Sequence, residues 1–226
     1  MSNRQEYWDL YRQDGRLERT VLRGSVVIQE LGDLYHETVE IIPTDKAGHL
    51  LVTRRALEKR HSGGKFEFPA GSVISGETPI VAARRELFEE TGLKVKALTK
   101  IDAVMAPGIK RYIYLAHIPD LTTAQVVLQE EETVEYRIIT YHQWIGMMTE
   151  RSFDERRVRL YNEKVLSTLE KLVGLPAESE EAPAAPELKQ ISYMPGTRAG
   201  TSGDAITQEE LIPGLGPMDL YRSTEE

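Results

Sequence analysis

Cysteine is absent from the 226 residues. That excludes a disulfide framework, a thiolate nucleophile and any thiolate metal site. No apolar run approaches the length of a membrane-spanning helix, and no basic-then-apolar leader opens the chain. A cytoplasmic, soluble protein without a membrane partner is therefore expected. An excess of basic charge is also missing. The net charge is -8, but residues 176–226 hold ten acidic side chains against three basic ones, a balance of -7 that leaves -1 for residues 1–175. A near-neutral body has no basic footprint for a polyanion, so long nucleic acid is an unexpected partner, whereas a single nucleotide is not.

What is present is enough for a packed core, with 40% hydrophobic residues. The length suits one domain with appendages. Residues 1–24 read as an N-terminal extension, with a hairpin over Tyr7–Leu22 turning at Asp14-Gly15. Strands are predicted at Val26–Ile28, at Glu37–Ile42 ending before Pro43, at Leu50–Thr53 and at Phe66–Phe68. Further strands are predicted at Val95–Val104, Arg111–Ile118 and Tyr136–Thr140. A short helix follows over Tyr141–Met148. A longer one over Asp154–Val173 has Val158, Tyr161, Val165, Leu169 and Leu172 on its buried stripe. Strands around a central helix, with helices at the end, predict a mixed sheet between helical layers, an α/β/α sandwich. Residues 176–226 change to Pro, Ala, Glu, Gly and Ser, the composition of a flexible tail.

The most informative stretch is Gly71–Leu93. Thr78 suits an N-cap and Pro79 the first helical position, and Gly92 suits the left-handed end of the helix. Ile80, Ala83 and Leu87 form an apolar stripe. Glu86, Glu89 and Glu90 share another face, because residues three and four apart are neighbours on a helix. Arg85, four residues before Glu89, is placed to hold that carboxylate by a charge-assisted hydrogen bond. Carboxylates crowded this closely repel one another unless a cation joins them, and hard divalent ions take oxygen ligands. A solvated acidic face would not bring the glycine loop, the spaced Glu77 and both caps along with it.

These residues match G-x5-E-x7-R-E-U-x-E-E-x-G-U, with U aliphatic, at all nine specified positions, and in this the chain resembles the Nudix family. The resemblance implies an α/β/α sandwich with a mixed sheet over residues 25–175. It also implies hydrolysis of a nucleoside diphosphate linked to another group, with Mg²⁺ or Mn²⁺ bound by Glu86, Glu89 and Glu90. Arg85 would be structural and Glu77 would support the site from its edge. In the ADP-ribose branch the residue just before the box lends its carbonyl to a metal, here Ala70. That branch carries its general base on a later acidic loop, which implies Glu130 or Glu132 beside the box candidates Glu89 and Glu90.

Arg54 and Arg55 follow a strand that borders the substrate cleft in the family, where an arginine can fork onto phosphate. Pro107, in the Pro107-Gly108 turn, falls near a proline of ADP-ribose-cleaving members. The stretch from Trp8 to Gly24, followed by Tyr35-His36, instead resembles the isopentenyl-diphosphate-isomerase-like branch. A true isomerase needs a cysteine, and here there is none beside a complete box, so hydrolysis is the expected chemistry. ADP-ribose or a nucleotide sugar is the expected substrate, with a CDP-alcohol or nucleoside triphosphate as the alternative. A non-catalytic sensor would be expected to have lost box carboxylates. Many relatives are dimers joined through N-terminal strands, so a homodimer is expected as well.

Overall fold

The computed structural model describes residues 5–59, 61–129 and 132–171. The chain forms β1 (Tyr7–Tyr11), β2 (Leu17–Leu22), a 3-10 turn at Ile28–Glu30, β3 (Tyr35–Thr44), β4 (Leu50–Arg55), β5 (Phe66–Glu67) and β6 (Ala70–Ser72). Then come α1 (Pro79–Thr91), β7 (Leu98–Ala106), β8 (Ile109–His117), β9 (Thr133–Ile139), α2 (Tyr141–Thr149), α3 (Glu155–Val158) and α4 (Glu163–Lys171). β3 lies at the centre. It runs parallel to β8 over nine residue pairs and antiparallel to β1, β4 and β6.

Side chains alternate across a strand, and β3 shows how that builds two cores. Val39 and Ile41 face α1, packing with Leu51, Ala83, Leu87 and Tyr114. Ile42 faces the opposite layer, with Val52, Phe68, Ile113, Trp144, Phe153 and Leu169. The sheet is thus covered by α1 on one side and by α2 and α4 on the other, the mixed α/β/α sandwich that the order of elements implied. No helix among the described residues is long and apolar enough to cross a membrane.

Several boundaries differ from the sequence reading. Val26–Ile28 is not a strand: Ile28 starts the 3-10 turn and Val27 stays 52% exposed, with no strand pairing to it among the described residues. β3 continues through Pro43 to Thr44. The bonds His36 N–H to Gly108 O and Ile118 N–H to Thr44 O put the polar backbone groups of even-numbered residues towards β8. Pro43, an odd residue, therefore loses no bond to β8 by lacking an N–H. The glycine loop begins as a strand, β6, paired to β3 from Thr38 to Glu40. β9 takes in Thr133–Glu135 from the acidic stretch.

On α1 the buried stripe is Ala82, Ala83 and Leu87, while Ile80 is 37% exposed. The long C-terminal helix breaks after Val158, because Asn162 caps α4 by accepting from Val165 N–H at 3.1 Å. Leu172, Val173 and the tail lie outside the described residues.

Candidate active site

α1 starts from Thr78, whose backbone is extended although its side chain makes no cap bond, and ends at Gly92 with φ 70°. Its fixed ends present residues 86, 89 and 90 beside β6. Arg85 fastens the arrangement. Its Nε and Nη2 donate to the two oxygens of Glu77 at 2.8 and 2.9 Å, a bidentate fork. Nη2 also donates to the Ser72 carbonyl at 2.9 Å, and Nη1 to Glu86 at 2.7 Å and Glu89 at 3.0 Å. The Glu77 bond, with Glu86 behind it, holds the guanidinium pKa above its ordinary value against the opposing effect of burial. Arg85 thereby pins the loop between β6 and α1 to the acidic face of the helix.

Glu86 lies on Gly71. A Cβ at residue 71 would stand 2.0 Å from the Glu86 Cδ and Oε1, so only glycine leaves room for that carboxylate. Burial pushes the Glu86 carboxyl up despite Arg85. Glu90 is more enclosed, at 6% exposure. Its Oε1 accepts from Ala70 N–H at 3.3 Å, and its Oε2 is buried with no hydrogen-bond partner. Burial first, then the charges of Glu67 and Glu86, pushes its carboxyl well up. Glu89 keeps a side chain 47% exposed.

Among the described residues no three His, Asp or Glu side chains already converge as a finished metal shell. Arg85 draws Glu86 and Glu89 towards itself, while Glu90 turns to Ala70. The donor set nonetheless fits a hard divalent cation. It offers three carboxylates on adjacent turns, one with an orphaned buried oxygen, and desolvated carboxylates regain their charge beside a cation.

Beside Gly71 opens a cleft of about 230 Å³, bordered by Ala70, Gly71 and Ser72 of β6, Thr38 and His36 of β3, and Trp8 and Arg23 of the N-terminal hairpin. Arg111 and Arg157 also line it. Both belong to a buried charge network. Arg111 pairs with Glu40 at 3.2 Å, Arg157 pairs with Glu67 at 2.6 Å and Glu40 at 3.6 Å, and the Tyr161 hydroxyl donates to Glu40. Burial opposes the Arg157 charge, but Glu67 and Glu40 outweigh it and raise its pKa. Burial dominates at Arg111 and lowers its pKa. Arg157 reaches the cleft because residues 152–154 pair with β5: Phe66 N–H donates to Ser152 O, and Asp154 N–H to Phe66 O.

The residues expected from sequence divide. Glu86, Glu89, Glu90, Arg85, Glu77 and Ala70 are brought together. Arg54 and Arg55 are not in the cleft wall. Arg54 donates to Gly64 O and pairs with Glu135 at 3.2 Å, and Arg55 pairs with Glu67 at 2.7 Å. Pro107 occupies the β7–β8 turn, two residues before the wall at Ile109. Glu132 pairs with Lys59 at 3.0 Å and is half-exposed, and Glu130 lies outside the described residues. His36 is 1% exposed and stacks on Trp8 at 4.2 Å.

Sequence reasoning missed Arg111, Arg157, Glu40 and Trp8. Arg111 alternates with Ile109 and Ile113, and Glu40 with Ile42. A charge in an apolar strand alternation was the signal for both. Arg157 and Trp8 carried no such signal, since only the chain path brings them near residue 71.

A family model described as NUDIX domain matches residues 34–161. An uncharacterised Nudix hydrolase of Listeria innocua is 29% identical over 140 residues, 60% of this chain and 80% of that protein. An ADP-ribose pyrophosphatase of Bacillus subtilis is 29% identical over 157 residues, 59% of this chain and 84% of its own. An 8-oxo-dGTP diphosphatase of Proteus vulgaris is 40% identical, but over 72 residues only, 32% of this chain and 63% of that protein. Among solved structures, a Deinococcus radiodurans protein superposes with a TM-score of 0.56 at 17% identity, over 70% of this chain and all of its own, which shows the shared fold.

Proposed function

The chain belongs to the Nudix family and is a pyrophosphohydrolase, and on that premise we propose that it cleaves the diphosphate of ADP-ribose or of a related nucleotide sugar. The carrying observation is the juxtaposition of the acidic face of α1 with a cleft lined by Arg23, Arg111 and Arg157. Extent of similarity supports the substrate class: the ADP-ribose pyrophosphatase aligns over most of its length, whereas the 8-oxo-dGTP diphosphatase aligns over 72 residues.

Members of the family use divalent cations, and here Glu86, Glu89, Glu90 and the Ala70 carbonyl would hold Mg²⁺. Such an ion supplies charge neutralisation at phosphate oxygens and acidifies water. Arg85 fixes the carboxylates through its bonds to Glu86 and Glu89 and ties them to the loop through Ser72 and Glu77. Arg111 and Arg157 present positive charge to the diphosphate from a network that their carboxylate partners keep rigid. Glu89 accepts the proton of the attacking water at a carboxylate oxygen. It stands on the helix face of Glu86 and Glu90 while its side chain remains open to solvent, which can take the proton away. Glu132, held by Lys59, is not given this role.

Water attack on ADP-ribose breaks one P–O–P link and yields AMP and ribose 5-phosphate. The test is a panel of ADP-ribose, nucleotide sugars, CDP-choline and nucleoside triphosphates with Mg²⁺, following the monophosphate released. AMP from ADP-ribose supports the proposal. Turnover confined to triphosphates or CDP-choline would replace it.

A further inference from the structure

The N-terminal hairpin lies before residue 34, where the family match begins, yet it forms one wall of the cleft. It is docked firmly. Leu10 and Tyr11 pair with β3, and Ser75 N–H of the glycine loop donates to Tyr7 O at 2.8 Å. Trp8 is 8% exposed and lies flat on His36, with ring centroids 4.2 Å apart and planes 13° apart. The Arg23 guanidinium lies 5.9 Å from the Trp8 ring centroid. Arg23 pairs with Glu6 and lines the cleft together with Trp8 and with Gly71, the glycine on which Glu86 lies.

Two buried ring nitrogens in this stack, Trp8 Nε1 and His36 Nδ1, have no hydrogen-bond partner. Buried polar atoms in folded proteins are nearly always satisfied; Trp144 Nε1 in the core is unpartnered as well, but only those of Trp8 and His36 belong to residues that line the cleft. An indole N–H can only donate, so its missing partner is a hydrogen-bond acceptor. The stack also says what does not bind. One face of the indole is covered by the imidazole and a guanidinium lies near the ring, so the stacking platform a nucleobase needs is already occupied. What Trp8 offers a ligand is its edge.

We propose that Trp8 Nε1–H, with Arg23 beside it, binds the phosphorylated sugar on the non-nucleoside side of the substrate, leaving the base outside this subsite. The hairpin thus selects substrates that carry a sugar or similar oxygen-rich group beyond the diphosphate. This rests on the reading that a diphosphate lies beside Glu86.

The protein has two tryptophans, Trp8 and Trp144. Trp144 is packed at 0% exposure in the core and absent from the cleft wall, which makes it an internal control. The test follows the two indole N–H signals of ¹⁵N-labelled full-length protein with Mg²⁺ present. The Trp8 signal is assigned by its disappearance in Trp8→Phe, which keeps an aromatic ring and removes the donor. Ribose 5-phosphate should move the Trp8 signal downfield and leave that of Trp144 in place, and adenosine should move neither. Trp8→Phe and Arg23→Gln should each weaken ribose 5-phosphate binding about tenfold, the loss of one charge-assisted hydrogen bond.

A Trp8 signal unmoved by ribose 5-phosphate, or moved by adenosine, overturns the proposal. So does undiminished binding in both variants. Arg23 is exposed, so its variant reads the subsite even if Trp8→Phe folds poorly. Because the titration needs no turnover, it fails separately from the substrate reading, which fails if wild-type protein releases no AMP from ADP-ribose.

Discussion

Replacing Gly71 with alanine should disable the site while leaving the fold nearly intact. Its backbone is not in the left-handed region, so alanine brings no intrinsic strain at this position. The added Cβ would meet Glu86 Cδ and Oε1 at 2.0 Å, where ordinary contact begins near 3.4 Å, so the carboxylate must retreat by about 1.4 Å. The obstructing atoms are the end of a rotatable side chain, so the stability cost should stay within about 1 kcal/mol. Displacement is costlier for catalysis, where a misplacement of about 1 Å can cost roughly a hundredfold. Gly71→Ala should therefore lower kcat/KM about 100-fold, with a urea midpoint close to wild type. The two substitutions should be non-additive: in a Glu86→Ala background, where the Glu86 carboxylate no longer obstructs the Cβ, adding Gly71→Ala should cost almost nothing further. Near-normal turnover by Gly71→Ala would refute the placement of Glu86, as would a large loss of stability that accounts for the lost activity.

If Glu89 takes the proton, Glu89→Gln should lower kcat by 10²- to 10⁴-fold in steady-state assays at saturating Mg²⁺, whereas Glu132→Gln stays within a few-fold. The reverse order would move the base to the later loop. Arg157→Met leaves Glu67 and Glu40 buried without their shared cation. It should destabilise the protein by about 3–5 kcal/mol in a urea titration, and a loss below 1 kcal/mol would show the network to be dispensable. Burial, then Arg23 and Arg111, lowers the His36 pKa from 6.5 to about 4. The unfolded chain binds this proton more tightly, so the contribution is intact above pH 6.5 and is lost as pH falls towards 4, by up to roughly 3 kcal/mol. His36→Phe, which keeps the stack, should flatten that part of a stability-versus-pH curve, and an unchanged acid limb would contradict the buried neutral imidazole.

Local signals carried the helix and its chemistry. Pro79 and Gly92 suit only its two ends, and spacing alone set Glu86, Glu89 and Glu90 on one face, because helix geometry is decided within a few residues. The hairpin at Tyr7–Leu22 was legible for the same reason. The sheet edges were not. β6 became a strand because the centre of β3 had an unpaired side for it, and the C-terminal helix broke where Asn162 could cap its second half.

Composition and spacing thus determined the two-layered core and the acidic helix, whose crowded carboxylates suit a divalent ion. Only the tertiary structure decided what faces that helix. Trp8, Arg111 and Arg157 are separated by up to 149 residues, and each is ordinary in its own stretch of chain. They share one cleft because β1 pairs with β3, β8 runs parallel to β3, and residues 152–154 join β5. No sequence interval records those pairings, since they depend on which hydrogen-bonding edges the rest of the sheet leaves open.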